Sequence, residues 1–319
     1  MTAKTARKKR FSRANARTVF YVYIANGRLW FRLMTYMLLI VLSFVFIYPF
    51  IYMLVTSVMS SRDLLDISVE WIPRQPTFSH YTVAWKLVQY PRHLLISVVY
   101  VLSATVIHVV MNSYIAYGLA RYRFPGRNLL LVIMVLSILI PSQVLILPTY
   151  LEFATLKWVG NYLPLIVPLV FGFGLKSGLF IFLFRQFFIS LPKQLEEAAR
   201  IDGCGFFGTF WRIVFPTART STIVCVVLSL VWHWNEYYDP IIYLSDIKLW
   251  PLTSMLPMLN EAYLKTLRGE PALINGSNTS VDVALVMAAT VLVILPVLIA
   301  YAFLQRQFMQ GIERTGIVE

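Results

Sequence analysis

Residues 195–216 read LEEAARIDGCGFFGTFWRIVFP and stand between two long apolar runs, 162–184 and 217–244. The first part is a good helix: Glu196, Glu197, Ala198 and Ala199 are strong helix formers, Pro192 suits a first turn, and Ser190 is placed to cap it. Gly203 supplies the left-handed residue at which such a helix stops. A second helix then begins near Gly205 and continues to Pro216, where the chain turns back toward the bilayer. Small Ala198 and Ala199 let another surface come close, while Glu197, Arg200 and Asp202 offer charged contacts at the rim. Two surfaces fit: lipid headgroups under an ordinary amphipathic helix, or a partner protein that grips a protruding one.

Outward from this segment, the chain reads as an integral membrane protein. Of its 319 residues, 58% are hydrophobic and 13% charged, outside the range of soluble domains. Several runs reach the roughly 20 residues needed to cross about 30 Å of hydrocarbon, and strand-like alternation is absent, so helices are expected and a barrel is not. The class is all-α and polytopic, with six transmembrane helices expected at 33–58, 93–120, 129–150, 162–184, 217–244 and 282–304. The run from Leu33 to Val58 is too long for a signal-peptide core and no small-x-small site follows, so it reads as an uncleaved first span.

The net charge of +13 belongs to this topology and not to nucleic acid. Nine basic residues lie in the arm 1–32, where anionic headgroups account for them. Together with 121–128, 185–219 and 305–319, that arm holds 19 of the 28 basic residues; the opposite loops hold eight, and Lys176 lies inside a span. The positive-inside bias therefore puts both termini, and residues 195–216, in the cytoplasm. One transmembrane domain, 33–304, is expected between the basic arm 1–32 and a cytoplasmic tail 305–319, with the loop 185–216 projecting from it. The turn ARYRFPGRN offers three arginines to phosphate headgroups. The outer loop 59–92, with Trp71, Pro73, Pro76 and Trp85, reads as a structured cap with an interfacial helix. NGS and NTS near 275–280 match glycosylation sequons, which occur often by chance. Two cysteines, Cys204 and Cys225, give neither a disulfide framework nor a zinc spacing.

Glu197, Ala198, Ala199, Gly203, Ile213 and Pro216 match in type and spacing the pattern E-A-A-x3-G-x9-I-x-L-P, departing only in Phe215, another apolar residue, where leucine is usual. In this the chain resembles the permease subunits of ATP-binding-cassette importers. More of it is similar to the sugar-importer branch, the group of the second maltose permease: AYGLARYRFPGRN, IPSQVLILPTYLEF, RQFFISLPKQLEEAARIDG, VWHWNEYYDP and LPVLIAYAFLQRQFMQGI follow in order between about residue 35 and residue 313. The resemblance implies the type I importer permease fold. It also implies a bacterial or archaeal cell membrane, a second permease as heterodimer partner, two ATPase subunits, an extracytoplasmic sugar-binding protein and a carbohydrate cargo, an oligosaccharide above all. Residues Glu197–Gly203, with Ile213 and Pro216, would form the coupling helix seated in the ATPase. No G-x-x-x-x-G-K-[ST] is present, so no cofactor is expected on this chain; ATP and magnesium would be held by the partner subunits, and the chain is not itself an enzyme. The same machinery carrying a peptide, amino acid or polyol is the alternative. An ion-coupled secondary transporter fits less well, given few intramembrane acids, and no catalytic set supports a membrane enzyme.

Cargo-path candidates come from the spans. An ionisable group inside a span is costly unless paired or hydrated, which singles out Lys176; it has three readings, contact with cargo, snorkelling to a water-filled cavity, or neutralising an acid on a neighbouring helix. In VWHWNEYYDP, Trp232, Trp234, Tyr237 and Tyr238 supply flat apolar faces and Asn235, Glu236 and Asp239 hydrogen-bonding edges, the combination a pyranose requires; an aromatic belt at the bilayer surface fits equally. On one continuous helix Trp232, Asn235, Glu236 and Asp239 share a face and Trp234 points away. Gly172, Gly174 and Gly178 allow close helix packing or local unwinding. His108 and His233, in apolar context without ligand companions, read as buried hydrogen-bonded histidines in preference to a metal site or proton relay.

Overall fold

The computed structural model describes residues 28–316 except 70, 175, 270–272, 275–276 and 279–280. Nearly all of the basic arm, and part of each sequon, lies outside these residues. Among the described residues three helices are long and apolar enough to span a membrane unbroken: α1 (Arg28–Ser57), α4 (Tyr90–Arg121) and α14 (Val283–Gly316). Their bounds lie close to the expected first, second and last spans except at the end of α14, which continues past residue 304. Large apolar side chains cover the outer faces of α1, as they can where hydrocarbon is the solvent. The outer loop carries short helices α2 (Ser61–Leu65) and α3 (Ser79–Leu87), and Trp85 of α3 stacks on Tyr90 with ring centroids 4.2 Å apart.

The other expected spans are broken, and prolines and glycines break them. Residues 129–150 divide into α5 (Arg127–Leu136) and α6 (Ser142–Thr155), bent by 108°. Pro141 disfavours the helical region for the residue before it, and Ile140 is extended at φ −80°, ψ 118°. The fourth run divides into α7 (Leu163–Val170) and α8 (Ser177–Ser190), with Gly172 and Lys176 at positive φ between them. At Gly178 a Cβ would overlap the carbonyl oxygen of Met134, so α8 and α5 meet backbone to backbone. In the fifth, α11 (Arg219–Asn235) stops well short of residue 244 and a separate α12 (Tyr238–Tyr243) follows. The ring of Pro240 would meet the carbonyl of Glu236 in a continuous helix, and its nitrogen has no hydrogen to give. Beyond α12, α13 (Met255–Leu267) leads to a minimal antiparallel ladder, β1 (Leu273–Ile274) with β2 (Ser277–Asn278).

Helix α4 is the central element, packed against α7, α8 and α11. Its buried face divides the interior in two. Toward Tyr90 lies an apolar core of Tyr100, Ala104, Leu169, Trp234, Met255 and Leu285; toward Arg121 lies another of Ala116, Tyr117, Phe180, Phe184, Phe188 and Phe210. Between them is a buried polar layer. The His108 Nε2 is 2.8 Å from Ser177 Oγ, its Nδ1 is 3.4 Å from Ser229 Oγ, and Ser229 lies 3.1 Å from His233 Nδ1. Both histidines are thus buried and hydrogen-bonded, and among the described residues no group of three metal-ligating side chains exists.

Candidate functional site

The loop after α8 is built on one buried ion pair. Ser190 ends α8 and its hydroxyl donates back to Phe187 O, so it caps nothing downstream. The next helix, α9 (Gln194–Ile201), starts after Lys193 and turns two residues inward, Glu196 and Ala199. Arg121, the last residue of α4, lies with Nε 2.5 Å from Glu196 Oε1, and both side chains are 8% exposed. Its Nη2 donates to Leu191 O at 3.0 Å, and the Tyr117 hydroxyl donates to Glu196 Oε2 at 3.2 Å. Arg121 therefore does not face headgroups as its loop position suggests. It faces the protein, at a helix C-terminus that favours a cation.

The opposite face of α9 is open. Glu197, Ala198, Arg200, Asp202 and Gly203 are exposed and Ile201 is 87% exposed, whereas Ala199 is 2% exposed and rests on the chain's own interior. Ala199 is thus a packing residue, and the small side chain free to meet another surface is Ala198. The helix ends in a left-handed turn: Gly203 has φ +81°, its N–H donates to Arg200 O, and the Cys204 N–H donates to Ala199 O at 2.9 Å. No atom would crowd a Cβ at Gly203, so the backbone angle and not space requires glycine there.

From Gly205 the chain enters α10 (Phe206–Thr217), bent by 81° against α11. Aromatic contacts fasten it: Phe210 stacks on Tyr114 at 4.1 Å, and Phe206 meets Tyr117 and Tyr122 at 5.4 and 5.8 Å. Ile213 is half-buried and Pro216 exposed. A helical hairpin results whose inner faces hold to α4 and whose outer face, among the described residues, is exposed.

The cargo-path candidates separate into two groups. Lys176 and Trp232 come together: the ammonium lies 4.6 Å from the centre of the indole, and Trp232 in turn meets Phe180 edge-on at 5.4 Å. Asn235, the last residue of α11, keeps the helical i+3 spacing to Trp232, whereas Glu236 and Asp239 lie past the end of that helix and do not continue its face. The Glu236 carboxylate accepts the N–H groups of Tyr238 and Asp239 at 3.0 and 3.2 Å, so it caps α12; Asn235 is exposed and Asp239 half-buried. Trp234 points away as expected, buried, with its indole N–H donating to Val293 O. Sequence reasoning missed Arg121, Tyr117, Glu196 and Ile201. The available signal was two opposite charges, Arg121 and Glu196, at the cytoplasmic edge of the expected spans.

The family model described as binding-protein-dependent transport system inner membrane component matches residues 109–314. The arabinooligosaccharides transport system permease protein AraQ of Bacillus subtilis (strain 168) is 28% identical over 290 residues, 90% of this chain and 96% of that protein. The sn-glycerol-3-phosphate transport system permease protein UgpE of Yersinia pestis bv. Antiqua (strain Antiqua) is 33% identical over 219 residues, 69% of this chain and 71% of that one. A crystal structure of a bacterial ABC transporter involved in the import of the acidic polysaccharide alginate contains a chain with the same fold, at TM-score 0.70 and 24% identity, covering 89% of this chain and 98% of its own. A family match over most of the chain, on a helical membrane fold shared with a solved importer, makes this protein a member of the binding-protein-dependent transport system inner membrane components.

Proposed function

We propose that this chain is one of two permeases lining the path of an ATP-driven carbohydrate importer. Relatives named for arabinooligosaccharides and for sn-glycerol-3-phosphate support a carbohydrate, an oligosaccharide above all, or the phosphate of a small polyol as the second reading. The observation that carries the coupling role is the open face of α9, with Glu197, Ala198, Arg200, Ile201, Asp202 and Gly203 exposed on a hairpin whose other side is fixed to α4. One of two ATPase subunits, which would hold ATP and magnesium, grips this face on the cytoplasmic side. Their closure draws the hairpin inward and turns the cavity from inward-facing to outward-facing, where an extracytoplasmic binding protein delivers cargo. Both termini lie in the cytoplasm of a bacterial or archaeal cell. Lys176 and Trp232 line the path, and Ile213 and Pro216 hold the returning helix in place.

The test is ATP hydrolysis by the reconstituted complex, with and without binding protein and a panel of sugars. Cargo-stimulated hydrolysis is expected in the wild type and lost in Gly203→Pro and Glu197→Lys. Equal stimulation in all three would overturn the coupling role, and no stimulation by any sugar would overturn the carbohydrate reading.

A further inference from the structure

Lys176 lies beside the mid-length of α4, one of the helices long and apolar enough to span a membrane. Its neighbour Ser177 is hydrogen-bonded to His108, which lies on α4 roughly 27 Å from Tyr90 and roughly 20 Å from Arg121 at about 1.5 Å per residue. At that depth the side chain is exposed on the surface of the chain. Among the described residues no carboxylate pairs with it, and Glu236, just past the end of α11, spends an oxygen on two backbone N–H groups. The backbone presents this lysine deliberately: it has φ +55°, a conformation costly for any residue but glycine, at the turn where α7 gives way to α8. Its ammonium lies over the indole of Trp232, 4.6 Å from the ring centre, and Phe180 braces that indole from the edge.

An ammonium at mid-membrane facing hydrocarbon is costly, so this surface faces the aqueous path. A cation held over an aromatic ring, with no carboxylate beside it, matches an anionic cargo: a saccharide whose anionic substituent meets the ammonium while its ring lies alongside the indole. A neutral sugar would exploit the indole but would leave the cation without a counter-charge. Resting on the import reading above, we infer that Lys176 and Trp232 form a subsite selecting acidic saccharides, bearing a uronate carboxylate or a sugar phosphate.

The experiment uses the full permease–ATPase complex in nanodiscs without its binding protein, so that only the membrane site selects. Saturation-transfer NMR compares an oligogalacturonate, a neutral galactose oligomer of equal length and a hexose phosphate. Expected is a preference of about tenfold or more for an acidic probe, set by one charge-assisted contact; the oligogalacturonate and phosphate arms distinguish the two anions. Lys176→Gln should abolish the preference, Lys176→Arg should restore it, and Trp232→Ala should weaken all saccharides alike. Equal or better binding of the neutral oligomer to the wild type overturns the acidic class while leaving carbohydrate import standing. So does an equal loss of every probe in Lys176→Gln accompanied by dissociation of the permease pair, which would mark Lys176 as the partner of an acid on the second permease. Failure of all three probes to bind, with no stimulation of hydrolysis by sugars, overturns the import reading itself.

Discussion

Truncating Glu196 strands a guanidinium. Arg121 is buried where it meets this carboxylate, and water cannot reach in to replace it. Breaking a buried pair from one side costs about 3–5 kcal/mol, whereas replacing both members with apolar groups is often neutral. Glu196→Ala is therefore expected to lower the unfolding temperature of the purified permease pair sharply, and Arg121→Met with Glu196→Leu to recover most of the loss. A thermal scan of the three proteins in the same detergent checks this. An unchanged midpoint in Glu196→Ala would show that the pair contributes nothing to folding. Glu197, adjacent in sequence, is exposed, so Glu197→Ala serves as the matched control.

Helix α9 presents two alanines with opposite surroundings. Ala199 lies against the interior, and enlarging it to leucine is expected to cost about 1–3 kcal/mol through overpacking. Ala198 faces outward, so Ala198→Leu should leave the unfolding midpoint unchanged and instead weaken capture of the ATPase subunits. Measuring both midpoint and ATPase co-purification separates the outcomes; the reverse pattern would mean that α9 docks through its other face. This distinction marks how far the sequence could be read. Hydropathy and run length placed α1, α4 and α14 closely, because an apolar run of spanning length has few alternatives in a bilayer. The glycine stop at Gly203 and the second helix from Phe206 were legible for a similar reason, since few residues tolerate a left-handed turn. Direction was less legible. Which alanine faces inward depends on Arg121, distant in sequence, and the end of α11 depends on Pro240 and on Glu236 turning back on its own backbone. The breaks at Pro141 and around Gly172 also lie within hydrophobic stretches, where composition looks the same on a straight helix and on a bent one.

Across the molecule, the polar layer joins two apolar cores through hydrogen bonds from α4, α8 and α11. Removing its centre, His108→Leu, leaves the Ser177 hydroxyl short of its partner in a dry interior, at about 1–3 kcal/mol for a group left unsatisfied, while Ser229 keeps His233 and Thr105. The expected result is a lower unfolding midpoint for His108→Leu, largely relieved when Ser177→Ala is added. If the single change is neutral, water already enters this layer. Helix α4 runs through both cores without a proline after its first turn and without a break. At one end Arg121 holds Glu196; at the other, His93 Nδ1 lies 2.7 Å from Trp250 O and Ser97 Oγ accepts the Leu252 N–H at 2.6 Å. The helix is about 48 Å long and anchored at both ends. Such a helix is built as a rod: an axial load applied at the Glu196 end would be carried along its backbone hydrogen bonds to the loop at Trp250. The bent helices on either side, hinged at Pro141 and at Gly172, are the members of this frame that can flex while the rod keeps its length.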